Sequence, residues 1–143
     1  MLALVLLNSV IVILVVVIHY ECLRQLSHWM PHLPIRPRLR IILGVGGALL
    51  AHTLEVWIFA LAYYLGMHHT NFGDLTGDTA DSMMDCVYYS FTVFTTLGFG
   101  DIIPTGGLRY LTGIESLTGL VLITWTASFL YIEMQKYWDE RRT

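Results

Sequence analysis

The segment whose residue types best suit ion chemistry is 96–101, Thr-Leu-Gly-Phe-Gly-Asp. Glycine adopts backbone angles that are closed to other residues, so Gly98 and Gly100 can turn successive carbonyl oxygens to the same side. Thr96 adds a hydroxyl oxygen to its carbonyl oxygen. A ring of such segments would replace the hydration shell of a large monovalent cation, which predicts an ion-binding filter at 96–101.

The fifteen residues before this filter predict a short pore helix over 81–95. Asp81 or Ser82 can cap its start, and Asp85 lies in the first turn, where the helix dipole favours negative charge. At about 20 Å, this helix is too short to cross a bilayer. We therefore expect a re-entrant helix, whose last carbonyl groups face water or a cation rather than lipid.

Composition places these elements in a membrane. The 143 residues are 55% hydrophobic and only 13% charged. Apolar runs at 2–18, 41–65 and 110–132 each approach the about 20 residues that a helix needs to span a bilayer. The sequence thus predicts an all-α membrane protein with three transmembrane helices, a re-entrant pore helix and a filter loop.

The predicted organisation has four parts. They are an N-terminal transmembrane helix at 1–20, a basic proline-rich linker at 21–40, a pore domain at 41–134 and a tail at 135–143. Within the pore domain we expect an outer helix at 41–66, an acidic loop at 67–80, the pore helix at 81–95, the filter at 96–101 and an inner helix at 109–134. We expect prolines 31, 34 and 37 to keep the linker extended.

The distribution of charge predicts an orientation. Seven of the eight basic residues lie between the first two apolar runs or after the third, and Arg109 is the exception. Positive charge favours the cytoplasmic side, which predicts an external N-terminus and a cytoplasmic C-terminus in an inner or plasma membrane. The opposite side carries the aspartates, which would attract cations. They are Asp74, Asp78, Asp81, Asp85 and Asp101.

The chain resembles the pore domain of potassium channels. Their signature is Thr-x-Gly-(Tyr or Phe)-Gly-Asp after a pore helix that ends in Thr-Thr, and residues 95–101 match it throughout. Tyr88, Tyr89 and Pro104 also fall where such channels commonly carry these residues. The resemblance implies K⁺ as the only cofactor and four copies of the chain around one axis.

The resemblance also implies roles for single residues. K⁺ would bind at the oxygens of Thr96, Leu97, Gly98 and Phe99, with the Gly100 carbonyl at the outer entrance. Asp101 would anchor the filter from behind with Tyr89 as its hydrogen-bond partner, supported by Thr92 and Thr95. Leu97 and Phe99 replace the commoner valine and tyrosine, so we expect selectivity to persist and gating at the filter to change.

The inner helix would line the pore. Gly119 lies where related channels often have a flexible glycine, which predicts a hinge there, with close packing as the alternative and Gly113 as a second candidate. At steps of four, Ile123, Ala127 and Tyr131 would then line the cavity.

Three titratable residues lie within the predicted spans, namely His52, Glu55 and Glu115. Because such groups are costly in lipid, we expect all three to face protein. Glu115 would hold the back of the pore helix through Thr92 or Thr95. His52 and Glu55, one turn apart, would form a static brace or a proton-sensitive pair.

The predicted function is passive, potassium-selective conduction by a homotetramer in a lipid bilayer. We expect no enzymatic activity, no organic cofactor, no nucleic acid and no small-molecule substrate. A weakly selective cation channel is one alternative. A membrane metalloprotein that uses His52, Glu55 and Glu115 is a more distant one.

Overall fold

The computed structural model describes residues 2–69, 72–77 and 82–139. In chain order its elements are α1 (Leu2–Trp29), a 3₁₀ turn (Met30–His32), α2 (Pro37–His69), β1 (Leu75–Thr76), α3 (Met83–Phe94), β2 (Ile103–Pro104) and α4 (Leu108–Asp139). Two aspartates named above, Asp78 and Asp81, lie outside the described residues, as do residues 140–143 of the predicted tail.

Three helices are long and apolar enough to cross a membrane, which confirms the predicted all-α membrane fold. The candidate spans are Leu4–His32, Arg38–His69 and Leu108–Lys136. Lipid offers no partner for backbone N–H and C=O groups, so even the valine-rich start of the chain satisfies them within a helix.

Helix α1 is longer than the predicted 1–20 and absorbs part of the predicted linker. Glu21 accepts hydrogen bonds from Arg24 and Gln25, at 2.8–2.9 Å, so the polar residues after the apolar run stabilise another helical turn. The prediction of an extended, proline-rich linker over 21–40 is wrong, because most of this region is helical. Pro31 lies in the 3₁₀ turn, and Pro37 opens α2, where its missing N–H leaves no hydrogen bond unmade.

Helix α3 is the predicted pore helix, and Ser82 rather than Asp81 caps it. The Asp85 amide donates to the Ser82 hydroxyl at 3.2 Å, and the Ser82 amide donates to the Asp85 carboxylate at 3.0 Å. This reciprocal pair satisfies two amides that the first turn leaves without helical partners. The buried face of α3, including Cys86 and Phe94, packs against the long helices.

A short antiparallel strand pair, absent from the sequence predictions, joins residues 75–76 to residues 103–104. Leu75 pairs with Pro104 and Thr76 pairs with Ile103. The Thr105 amide donates to the Asp74 carbonyl at 2.8 Å and extends this connection. The chain that leaves the filter is therefore tied to the loop that follows α2.

Candidate functional site

The backbone of the filter alternates in handedness. Thr96, Gly98 and Gly100 have φ angles of 60°, 52° and 81°, and the residues between them do not have positive φ. Two of these positions are glycines, which adopt such angles cheaply. Thr96 is β-branched and strained at positive φ, and strain of this kind persists at functional sites.

The filter amides show which way its carbonyl groups point. The amides of Leu97 and Gly98 both donate to the Thr92 carbonyl, at 2.8 and 3.0 Å. In a trans peptide the C=O points opposite to the N–H that shares its plane. The carbonyl oxygens of Thr96 and Leu97 therefore both point away from the pore helix, whereas those of a regular strand would alternate.

The filter lies on the surface of the single chain. Leu97 and Phe99 are 60% and 64% exposed, and a Cβ atom added at Gly98 or Gly100 would meet no heavy atom within 4 Å. Exposed backbone oxygens cannot face hydrocarbon. This surface therefore requires water, ions or further protein.

The hydroxyl groups of the pore helix bond locally. Thr92 donates to the Tyr89 carbonyl at 2.8 Å, and Thr95 donates to the Phe91 carbonyl at 2.7 Å. The prediction that Glu115 reaches the pore helix through Thr92 or Thr95 is wrong. The support that Thr92 gives the filter comes from its backbone carbonyl.

The residue behind Asp101 is Tyr88. Its hydroxyl donates to the Asp101 carboxylate at 2.6 Å, and its ring stacks on Phe99 with centroids 6.5 Å apart and planes 8° apart. The hydrogen bond lowers the pKa of Asp101 and raises the pKa of Tyr88. One side chain thus braces two residues of the filter segment.

Tyr89, the predicted partner of Asp101, faces the inner helix instead. Its hydroxyl lies 3.0 Å from that of Thr112, and its ring meets the ring of Tyr63 edge-on. The prediction was wrong because adjacent helical residues point about 100° apart, so only one of two neighbouring tyrosines can face the filter.

Glu115 does hold the back of the pore helix, through Ser90. The two side chains form a short, fully buried hydrogen bond, and Tyr63 donates to the other carboxyl oxygen at 2.5 Å. The Ser90 hydroxyl oxygen also lies 2.9 Å from the Val56 carbonyl oxygen. This network joins α2, α3 and α4 behind the filter.

Gly119 is a close-packing position in this structure. A Cβ atom there would lie 2.1 Å from the Phe94 carbonyl oxygen, and α4 continues through it without interruption. Gly113, in contrast, has open space around it. The structure therefore favours the packing alternative, and the hinge stays a prediction.

The predicted cavity residues separate into two groups. Ile123 and Ala127 line an open groove of about 420 Å³ together with Phe94 and Thr95 at the end of the pore helix. Tyr131 lies outside that groove, is 54% exposed and accepts a hydrogen bond from Gln135.

Comparison with known proteins identifies the family of this chain. A family model described as an ion channel matches residues 51–136, which is more than half of the chain. The chain belongs to this ion channel family. The matched region contains the pore helix, the filter and most of both flanking helices of the channel, which agrees with the predicted resemblance and with a function other than catalysis.

Two relatives overlap this region. The Potassium channel protein kcv of Paramecium bursaria Chlorella virus 1 is 33% identical over 71 residues, or 49% of this chain and 76% of that relative. The Uncharacterized membrane protein YdjJ of Bacillus subtilis (strain 168) is 33% identical over 98 residues, or 64% of this chain but only 28% of that relative. No solved structure matches.

The three titratable residues that were predicted within the spans belong to two clusters rather than one. His52 and Glu55 do pair, at 2.9 Å, but their third partner is His19 of α1, whereas Glu115 belongs to the network of Ser90. Sequence reasoning missed His19, although a histidine inside an apolar span is itself a signal of a buried polar contact.

Proposed function

We propose that this chain is one subunit of a potassium-selective channel, which conducts K⁺ passively through a pore formed by four copies. The observation that carries the proposal is the exposed filter strand, with left-handed angles at 96, 98 and 100 and two consecutive amides turned onto the Thr92 carbonyl. This backbone presents carbonyl oxygens to one side, as a dehydrated cation requires.

Assembly follows from the one-sidedness of that strand. A single strand can coordinate only one side of an ion, and its exposed backbone needs cover within the membrane. Several copies around an axis solve both problems at once. The number four comes from the resemblance to potassium channels, and K⁺ as the ion is supported by the similarity to the viral potassium channel protein.

The charged residues support the proposed position of the outer pore mouth and the orientation of the chain in the membrane. Asp74 and Asp101 are exposed and Asp85 is partly exposed on the filter side of the chain, where they would concentrate cations. The carboxyl end of α3 would direct its negative dipole toward the same path. With seven of the eight basic residues on the opposite side, we expect the N-terminus outside and the C-terminus in the cytoplasm.

Potassium selectivity is favoured over weak selectivity by the contacts of Tyr88. Phe99 lacks a hydroxyl with which to brace the filter, but Tyr88 stacks on its ring and bonds Asp101 two residues later. These contacts hold the filter segment against the pore helix. The metalloprotein alternative has little support, since Glu115 bonds Ser90 and Tyr63, apart from His52 and Glu55.

Reversal potentials in planar bilayers test the proposal. With K⁺ on one side of purified, reconstituted protein and Na⁺ on the other, the current should reverse close to the K⁺ equilibrium potential. A reversal near zero would indicate the weakly selective channel. Membranes that conduct neither ion in the presence of assembled protein would contradict the proposal.

A matched pair of glycine variants shows that the current passes through the filter. Gly98→Ala forces a side chain onto a residue at φ 52°, which costs about 1–2 kcal/mol. The variant should therefore lose either the K⁺ current or its selectivity for K⁺ over Na⁺. Gly113→Ala adds the same methyl group where no heavy atom lies within 4 Å and should keep the current. Both proteins should first be shown to assemble equally.

A further inference from the structure

A closed ring of polar side chains lies where α1, α2 and α4 meet. His19 Nδ1 lies 2.8 Å from Glu55 Oε1, and His52 Nδ1 lies 2.9 Å from Glu55 Oε2. On the far side, Thr126 Oγ1 lies 3.0 Å from His52 Nε2 and 3.4 Å from His19 Nε2. We call these four residues the His–Glu ring.

The His–Glu ring lies deep in the protein and ties the first helix to the pore domain. His19 and Glu55 are fully buried and Thr126 is 7% exposed, whereas the His52 side chain is 16% exposed and lines the open groove beside Phe94. His19 belongs to α1, which precedes the matched channel region 51–136, whereas the other three residues lie inside it. The ring is therefore where an element outside the matched region enters the interior of the channel.

Counting hydrogen atoms shows what the ring needs. Its four contacts require four hydrogens, one for each. A carboxylate and two neutral imidazoles supply only two, the Nδ1–H groups that face Glu55, and the Thr126 hydroxyl supplies a third. One Nε2 atom would then face the threonine oxygen with no hydrogen between them, which is costly for a buried polar pair.

One additional proton completes the ring and also balances its charge. Placed on an imidazole, it makes a neutral pair with the Glu55 carboxylate, and placed on the carboxyl group it makes every member neutral. Both arrangements satisfy all four contacts. Without that proton the ring carries a net negative charge within the membrane, where an isolated charge is expensive.

Within residues 2–69, 72–77 and 82–139, no lysine or arginine forms an ion pair with Glu55. On α1, the thiol of Cys22 lies one turn from His19 and bears no positive charge. From α4 the ring of Trp125 meets His19 at 5.4 Å between centroids, and from α3 the ring of Phe94 meets His52 at 5.7 Å. Among the described residues, the ion pairs of Glu55 are with His19 and His52 alone.

We propose that the His–Glu ring is a proton-binding site that holds one shared proton and thereby fastens α1 to the pore domain. The proton belongs to the ring as a whole rather than to one residue. This inference concerns the first helix and does not depend on which ion passes through the filter.

A metal ion is the competing occupant. Nitrogen or oxygen atoms of His19, His52 and Glu55 lie within 4.8 Å of one another, a spacing that a transition metal could also use. A divalent ion would, however, leave the ring with a net charge of +1. A structural zinc site would also need a fourth ligand, which the described residues do not supply in that group. A bound proton, in contrast, leaves the His–Glu ring neutral and needs no fourth ligand.

Nuclear magnetic resonance of reconstituted, full-length protein tests the proposal. With ¹⁵N-histidine and ¹³C-glutamate labels at pH 8, a solvent-exposed histidine is neutral because its ordinary pKa is about 6.5. The buried ring should still show one proton per chain, either as an imidazolium or as a protonated glutamate carboxyl. Two neutral imidazoles with a Glu55 carboxylate would overturn the proposal, as would one bound metal ion per chain.

Matched variants assign the proton to the ring. Glu55→Gln keeps an oxygen acceptor and removes the negative charge, so the ring no longer needs the extra proton and its imidazolium or carboxyl signal should disappear. Glu115→Gln alters another buried carboxyl, whose hydrogen-bond partners are Ser90 and Tyr63 rather than histidines, and should leave an imidazolium signal unchanged. An imidazolium that survives Glu55→Gln would refute the assignment. If that variant fails to fold, the wild-type spectrum alone decides.

Discussion

The packing of α4 on the end of the pore helix predicts that Gly119→Ala destabilises the channel. The new Cβ would lie 2.1 Å from the Phe94 carbonyl oxygen, about 1.3 Å closer than the 3.4 Å at which ordinary contact begins. It would also lie 2.9 and 3.0 Å from the Phe94 carbonyl carbon and Cα atom. These are backbone atoms immediately before the filter, so they cannot rotate away as a side chain could.

The magnitude follows from overpacking. Forcing a methyl group into a filled site typically costs about 1–3 kcal/mol, which exceeds the gain of at most about 1 kcal/mol when alanine replaces glycine in a helix. Gly113→Ala is the control on the same helix, since nothing lies within 4 Å of its new Cβ. Gly113→Ala should therefore gain helix stability from the alanine without any cost from overpacking.

Thermal unfolding of both purified variants in one detergent measures the difference. Gly119→Ala should unfold at a lower temperature than wild type, and Gly113→Ala at the same or a higher temperature. Equal stability of the two variants would refute the packing argument. A Gly119→Ala channel with wild-type stability but altered opening would favour the predicted hinge instead.

Three further predictions concern the support of the filter. Tyr88→Phe should reduce the ratio of K⁺ to Na⁺ permeability because it removes the bond to Asp101, whereas Tyr89→Phe, which loses only a contact with Thr112, should keep the ratio; equal effects would argue against the brace. The same bond lowers the pKa of Asp101 from its ordinary 3.8, so its stabilisation is present above that value and is lost only as pH falls through the lowered pKa. The difference in thermal stability between wild type and Tyr88→Phe should therefore persist at pH 5 and shrink near pH 3. Ser90→Ala should lower the free energy of unfolding by about 1–3 kcal/mol, since it removes a hydrogen-bond partner of the buried Glu115 carboxyl. Denaturation in detergent with an unchanged free energy of unfolding would argue against this network.

Much of the fold could be predicted because lipid restricts the choices. Long apolar runs must form helices, and a short amphipathic segment before a glycine-punctuated strand must be re-entrant. The end of α1 could not be predicted from the apolar run, because the helix continues past it through the Glu21–Arg24 pair. Two-residue strands such as β1 are too short to show a periodic pattern.

The candidate site could be predicted at the level of its motif but not of its contacts. Glycine spacing identifies the filter, whereas the choice between Tyr88 and Tyr89 depends on how α3 is rotated against its neighbours. The partner of Glu55 could not be found by spacing, since His19 lies 36 residues away on another helix. Such contacts are fixed only by tertiary packing.

In the proposed channel, filter oxygens from four chains surround a row of K⁺ ions, which an electron cryomicroscopy map of the reconstituted protein in K⁺ would show. The map should show four copies around one axis, with ion density between the carbonyl oxygens of residues 96–99 and the Thr96 hydroxyl. A different number of copies, or a filter strand that faces lipid with no ion density, would contradict the account.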